Sequence, residues 1–305
     1  MVGFVKYLTA ALLCTQSIVK VAAVDPQETY DGGITGNHGP ILLRIGNGGA
    51  GQSGLIKVMA DAFIKYRVAQ GAAPFKVGWY LSDTTVTINY LGTGDIDVGF
   101  TYSEVAETIA IKQGIATGRY YAWRDHFLLV GPHENPAKVK KTDDIYTTFS
   151  NIYAAAQKNN ASQAVPTRFL SRFDKSATNI KESQLWIGIG QVPWATAYST
   201  WYHQYIAFPV QALTAAALLK EYSITDRGTY LSVDASIANK TVIYKASSDN
   251  ATDPLLNPAN LLIGKKATNT AVVAAFKKWV VDKNLGQKVI TAFKKNGQQL
   301  YTGAP

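Results

Sequence analysis

Two periods of hydrophobicity alternate along the chain. "PILLRIG" (40–46) is a short apolar run ending in glycines, and "SGLIKVMADAFIKYRVAQG" (53–71) then places apolar residues at helical spacing. "FKVGWYL" (75–81) predicts a second strand. "SDTTVTINYLGTG" (82–94) predicts a short helix that Ser82 or Asp83 would cap, and "DIDVGFTY" (95–102) a third strand. Strand and helix in strict alternation with short links imply a parallel, right-handed, doubly wound sheet. The pattern restarts at "HFLLVGPHENPAKV" (126–139). It continues through the amphipathic "IYTTFSNIYAAAQKN" (145–159), the strand, polar turn and helix of "TRFLSRFDKSATNIKESQLW" (167–186), and the apolar helix around "VQALTAAALLKEY" (210–222). In "TVIYKASSDNATDPLLNPANLLIG" (241–264) two prolines break the chain before the strand "NLLIG", which reads as a crossing back. The end, from residue 269 to 301, reads as two helices.

The expectation is therefore an α/β protein of two lobes, each a doubly wound, mostly parallel sheet with flanking helices, facing each other across a ligand cleft. A lead-in occupies 24–40, the first lobe 41–131 plus 254–305, and the second lobe 132–253. In such sheets ligands sit beyond the carboxyl ends of the strands, where the glycine- and serine-rich turns fall.

Residues 1–23 put Lys6 before an apolar run and end in Val-Ala-Ala, the layout of a signal peptide cleaved near Ala23. The run is too short and too interrupted for a membrane span, so the mature chain is expected to carry none. Cys14, the only cysteine, lies inside this segment, so the core would have to hold the mature protein without disulfides. Sequons at Asn160, Asn239 and Asn250 fit a glycoprotein of a eukaryotic, fungal-like secretory route, and the expected location is extracellular or cell wall. Loss of Lys6 and Lys20 lowers the formal charge from +9 to +7, a basic balance that suits an anionic partner. The C-terminal lysines alternate with apolar residues and read as a solvated helix face, and without a clustered basic groove nucleic acid is not expected.

The most ambiguous motif is "RIGNGGAGQSGLI" (44–56). Gly46, Gly48 and Gly51 spell G-x-G-x-x-G, while Gly46, Gly51 and Ser53 fit a P-loop whose lysine is Gln52. Gln52 cannot supply the phosphate-binding charge, and Asp83, the nearest acid, stands too far on for a dinucleotide site. What remains is either an anion loop, built from backbone N–H groups of Gly48 and Gly49, Asn47, the Ser53 hydroxyl and a helix start, or a plain tight turn. The turn "SRFDKSATN" offers a second set of donors in Arg172, Ser171, Ser176 and Thr178. A guanidinium with hydroxyls suits a tetrahedral oxyanion, unless Arg172 is consumed by Asp174 or Asp226. Enzyme signatures are absent. There is no H-E-x-x-H, no G-x-S-x-G and no zinc cluster, His38, His126, His133 and His203 are scattered, and Asp95 and Asp97 should face opposite ways on a strand. No cofactor and no metal site are expected.

"YSITDRGTYLS" (222–232), "FLSRFDKSATN" (169–179) and "GQKVITAFKKNGQQLY" (286–301) resemble the tungstate-binding family of ABC-transporter substrate-binding proteins. "GDIDVGF", "DHFLLVGPHENPA" and "LLNP" follow in the same order, so the similarity covers nearly the whole mature chain. The resemblance implies a periplasmic-binding-protein-like fold without catalysis, closing on tungstate or molybdate first and phosphate or sulfate second. It implies anion contacts from Arg172, Ser176 and Thr178, support from Ser171 and Asp174, and places Ser53-Gly54 and Thr84 in the opposite jaw. A transporter or cell-surface partner is implied as well. The chain departs from the family where "GNGGAGQ" replaces a run of threonines and serine and where "IAFP" (206–209) replaces Gly-Gln-Gly-Met. A pocket opened for a small organic acid, or an adhesion or cell-wall protein reusing the fold without a ligand, are the alternatives these departures leave.

Overall fold

The computed structural model describes residues 24–305, so the signal-peptide reading of residues 1–23 lies outside the described residues. The first layer is built around β2 (Ile41–Asn47), β3 (Lys76–Leu81) and β4 (Val98–Thr101), three parallel strands in the order β3-β2-β4. The lead-in contributes β1 (Glu28–Tyr30), which pairs antiparallel with the β3 edge. Between these strands run α1 (Gly49–Ser53), α2 (Leu55–Ala69) and α3 (Thr84–Thr93), with α4 (Glu104–Lys112) following β4. The expected helix near Ser53 is thus two helices. Gly54 stands between them with a φ of 100°, a left-handed turn that glycine adopts without the steric cost a Cβ brings. Asp83 caps α3 by accepting from the Val86 amide at 2.8 Å, as the sequence suggests.

The strand expected at "HFLLVGP" is the second half of a much longer one, β5 (Ala116–Pro132). Its first half, "ATGRYYAWRD", lacks an apolar run because Arg119, Arg124 and Asp125 interrupt it, so the period-2 signal is lost. The second lobe comprises α5 (Ile145–Ala156), β6 (Phe169–Ser171), α6 (Ala177–Gly188), β7 (Tyr202–Gln204), α7 (Pro209–Leu218), β8 (Ser223–Asp226), α8 (Arg227–Tyr230), α9 (Ala235–Ala238) and β9 (Thr241–Ala246). β8 and β9 both pair antiparallel with Phe127–Pro132 of β5, while β6 and β7 pair parallel with each other. The return crossing is itself a strand, β10 (Leu256–Gly264), antiparallel to both β4 and β5. Pro258 does not break it: it pairs in register with Arg124 of β5 and lies before the stretch Asn260–Ile263 that pairs with β4 on the other side. The chain ends with α10 (Thr270–Val281), α11 (Gly286–Ala292), a hairpin of β11 (Lys294–Lys295) and β12 (Gln298–Gln299), and β13 (Thr302–Gly303) on β5. The second predicted terminal helix stops early because Asn296 and Gly297, with φ of 50° and 76°, make an Asn-Gly hairpin turn.

Two large hydrophobic clusters dominate the described residues, with three smaller ones beside them. The first centres on Phe63, Phe100, Trp123, Phe276 and Trp279, with Phe63 and Phe276 edge to face at 5.0 Å. The second centres on Phe149, Phe169, Trp186, Trp201 and Tyr202. β5 feeds both, sending Trp123 into one and Phe127 and Leu129 into the other. Asp97 is not an acid/base candidate. It is fully buried and accepts from the Arg44 amide, Nε and Nη2 at 2.9, 3.0 and 2.7 Å and from the Thr268 amide at 2.9 Å, tying β2 to the approach to α10.

Candidate functional site between the lobes

Five helices begin at one cavity. Gly48 stands at the N-cap of α1, Asp83 of α3, Ser176 of α6, Phe208 of α7 and Asp226 of α8, and all five residues line the same space between the two lobes. A helix start presents amides without intrahelical partners and the positive end of the peptide dipoles, so this convergence favours negative charge. The cavity holds about 50 Å³, room for a small inorganic ion rather than a carbon chain.

Of the predicted site residues, Gly48, Gly49 and Thr84 line the cavity from the first lobe, and Arg172, Ser176 and Thr178 from the second. Ser176 accepts from the Asn179 amide at 3.3 Å and so caps α6. Arg172 is 3% exposed. One Nη2 donor goes to Asp174, whereas Nε has no hydrogen-bond partner among the described residues. The pairing with Asp174 foreseen for Arg172 is therefore present, and that with Asp226 is not.

Three predicted residues stand behind the cavity wall instead. Asn47 donates to the Phe100 carbonyl at 3.0 Å and accepts from the Gly51 amide at 2.9 Å, which fixes the glycine turn. The Ser53 hydroxyl bonds the Ala50 carbonyl and the Tyr301 hydroxyl, both at 3.0 Å. Ser171 donates to the buried Glu182 carboxylate, which also accepts from Asn179 Nδ2 at 2.8 Å. Burial pushes Glu182 up to about 7, and the bonds from Ser171 and Asn179 oppose that rise. These short side chains satisfy nearby backbone or buried groups first, as Asn and Ser do wherever a turn offers partners.

The G-x-G-x-x-G spacing has a packing cause. A Cβ at Gly51 would lie 2.2 Å from the Trp79 ring, whose Nε1 donates to the Asn47 carbonyl at 2.9 Å. The stretch 44–56 folds onto an indole, with Gly48 and Gly49 left facing the cleft.

The sequence reading did not name the floor. Tyr102, Asp125, Asn257 and Asp226 line it, and Phe208 with Pro209 of "IAFP" close one side. Asp226 Oδ1 accepts from the Thr229 amide at 2.7 Å and Oδ2 from its hydroxyl at 2.5 Å. Asp125 accepts from the His126 amide at 2.8 Å and from Asn257 Nδ2 at 3.2 Å. Burial, with the Asp226 carboxylate beside it, pushes Asp125 well above the usual carboxylate range. The signal for these residues was present: Asp125, Asp226 and Asn257 sit inside "DHFLLV", "TDRGTYL" and "LLNP". Across the cavity mouth Thr85 Oγ1 donates to the Lys175 carbonyl at 3.2 Å, a direct bond between the lobes.

The arginine turn carries strain. Phe173 and Lys175 have φ of 44° and 64°, in the left-handed region that L side chains avoid. Phe173→Gly should raise unfolding free energy by about 1 kcal/mol, and a denaturation midpoint that falls instead would show that its packing outweighs the strain.

A family model described as the PBP superfamily domain matches residues 26–284. The chain belongs to the PBP superfamily. This PBP-superfamily chain is 28% identical over 216 residues to the tungstate-binding protein TupA of Peptoclostridium acidaminophilum, covering 70% of this chain and 68% of that protein. It is 25% identical over 222 residues, 72% of its own length, to a proposed ABC-transporter anion-binding protein of Haloferax volcanii, and it spans 60% of that relative's length. Among solved structures, a periplasmic protein proposed to bind metal is 60% identical, with a TM-score of 0.84 over 92% of this chain and 99% of the other. The eukaryotic route suggested by the sequons is not borne out by these relatives. Among the described residues no helix is long and apolar enough to cross a membrane.

Proposed function

We propose that this chain is a non-catalytic, secreted solute-binding protein that captures a tetrahedral oxyanion between its lobes, tungstate or molybdate before phosphate or sulfate, for delivery to a transporter. The observation that carries the reading is the buried Arg172, whose Nε has no partner and whose side chain lines a cavity ringed by helix starts. A buried donor left unpaired is costly, and an anion in the cavity would satisfy it. Gly48, Gly49 and Thr84 would form one jaw, in lobe 41–131 plus 254–305. Arg172, Ser176 and Thr178 would form the other, in lobe 132–253. Tungstate binding by the Peptoclostridium relative supports the ligand class. The small volume argues against an extended organic ligand.

A second reading is a cation site, favoured by the carboxylates Asp83, Asp125 and Asp226 and by the description of the 60% identical structure. Against it, no group of three or more metal-ligating acidic, histidine or cysteine side chains converges among the described residues. Both oxygens of Asp226 are also occupied by Thr229. Calorimetric titration of residues 24–305 with tungstate, molybdate, phosphate, sulfate and manganese(II) separates the two. Tight binding of one oxyanion is expected. Heat from manganese alone would replace the anion reading, and heat from none would leave the fold as a surface protein without a ligand.

A further inference from the structure

We propose that the cleft admits its anion only with the Asp125 carboxyl in the neutral form, which donates its proton in a hydrogen bond to the ligand and so links capture to pH. The inference rests on the oxyanion reading above and adds a selecting residue to it. Asp125 and Asp226 are 4% and 7% exposed and both line a cavity of about 50 Å³. Its one lining cation, Arg172, is already paired with Asp174. A dianion joining two ionised carboxylates in a space of about 50 Å³ would meet strong like-charge repulsion.

Which carboxyl gives way follows from the bonds. Asp226 caps α8 with both oxygens, accepting from the Thr229 amide and hydroxyl at 2.7 and 2.5 Å, so both are engaged on the helix side. Asp125 has one bond of ordinary length, from the amide of its neighbour His126 at 2.8 Å, and a long one from Asn257 at 3.2 Å. A proton on Asp125 makes it a donor aimed into a site whose free arginine Nε already calls for an acceptor.

The other groups around Asp125 do not supply this proton. Tyr102 and Tyr301 are raised well above the ordinary phenol range, first by burial and next by Asp125 itself, so they stay neutral. Arg227 and Arg172 carry guanidinium groups, which donate hydrogen bonds and accept none. Asp83 is raised by burial, but its bond from Val86 caps α3. On the same strand Arg124 donates to the Gly303 carbonyl, and the His126 ring turns away to Asp249 at 2.9 Å.

The test uses tungstate, because that dianion carries no proton of its own near neutrality. Calorimetry is run from about pH 6 to about pH 10, beyond the largest upward displacement burial gives a carboxyl, in buffers of differing protonation enthalpy. The expected result is constant affinity on the acid side, then a fall approaching tenfold per pH unit, with uptake of about one proton per anion. Asp125→Asn keeps a neutral donor, so the tungstate affinity it retains should show neither the alkaline fall nor the proton uptake. A flat profile in the parent, or the same slope in both proteins, overturns the inference and leaves the oxyanion reading standing. Absence of heat with every anion overturns both. The buffer-dependent heats of the parent decide the matter even if the variant fails to fold.

Discussion

Arg172→Ala is expected to weaken oxyanion capture by about a hundredfold or more while the protein stays folded. Truncating one member of a desolvated, hydrogen-bonded charge contact costs about 2 to 5 kcal/mol, and every 1.4 kcal/mol is tenfold in affinity. Two effects add here. The unpartnered Nε no longer meets the anion, and Asp174, freed of its arginine, becomes a net repulsive charge beside the cleft. Arg172→Lys should recover only part of the loss, because an ammonium cannot keep Asp174 and reach the ligand from a planar fork. The measurement is the tungstate dissociation constant with a thermal melt of the same sample. An unchanged constant in a folded variant would remove Arg172 from the site.

The largest stability effect should come from far outside the cleft. Asp97→Ala is expected to cost about 3 to 5 kcal/mol, the usual penalty for removing one partner of a buried ion pair. Asp97 is wholly buried and receives five donors from Arg44 and Thr268, so its loss strands the guanidinium and loosens β2 from the approach to α10. Burial opposes its charge, yet the Arg44 and Thr268 bonds outweigh burial and hold the group below the ordinary carboxylate range. A depressed value in the folded state means that its contribution is complete above the unfolded value of about 4 and is lost as pH falls through the folded one. Urea denaturation at neutral pH and again near about pH 3 checks both parts. The gap between parent and variant should narrow in acid, and a gap that widens would contradict the sign.

How much could be read in advance depended on whether local pattern or tertiary context set the structure. The alternation from residue 41 to 102 is decided by period and caps, and β2, α2, β3, α3 and β4 follow it. The crossing strands were half visible. In β5 the residues from Ala116 to Asp125 set half-buried charged and aromatic side chains beside buried Ala122 and Trp123, so no hydrophobic period marks them. In β10 the proline that signals a break falls where the strand is paired on one side only. The jaws were legible from chemistry, since glycine turns and an arginine with hydroxyls announce themselves. Ser53, Ser171 and Asn47 share that chemistry but spend it on Tyr301, Glu182 and Phe100, which only the folded chain reveals. The floor escaped because an isolated Asp or Asn inside a strand carries no periodic signature.

Asp125 and Asn257 face each other in register on the two strands that join the lobes. A rotation about these two strands would leave that pair nearly still and carry the Thr85–Lys175 contact at the rim through a longer arc. In the proposed capture the axle would then test the chemical form of the ion, and the rim would set the angle of closure. Substitutions at the axle should alter which ion is held, and substitutions at the rim how long it stays.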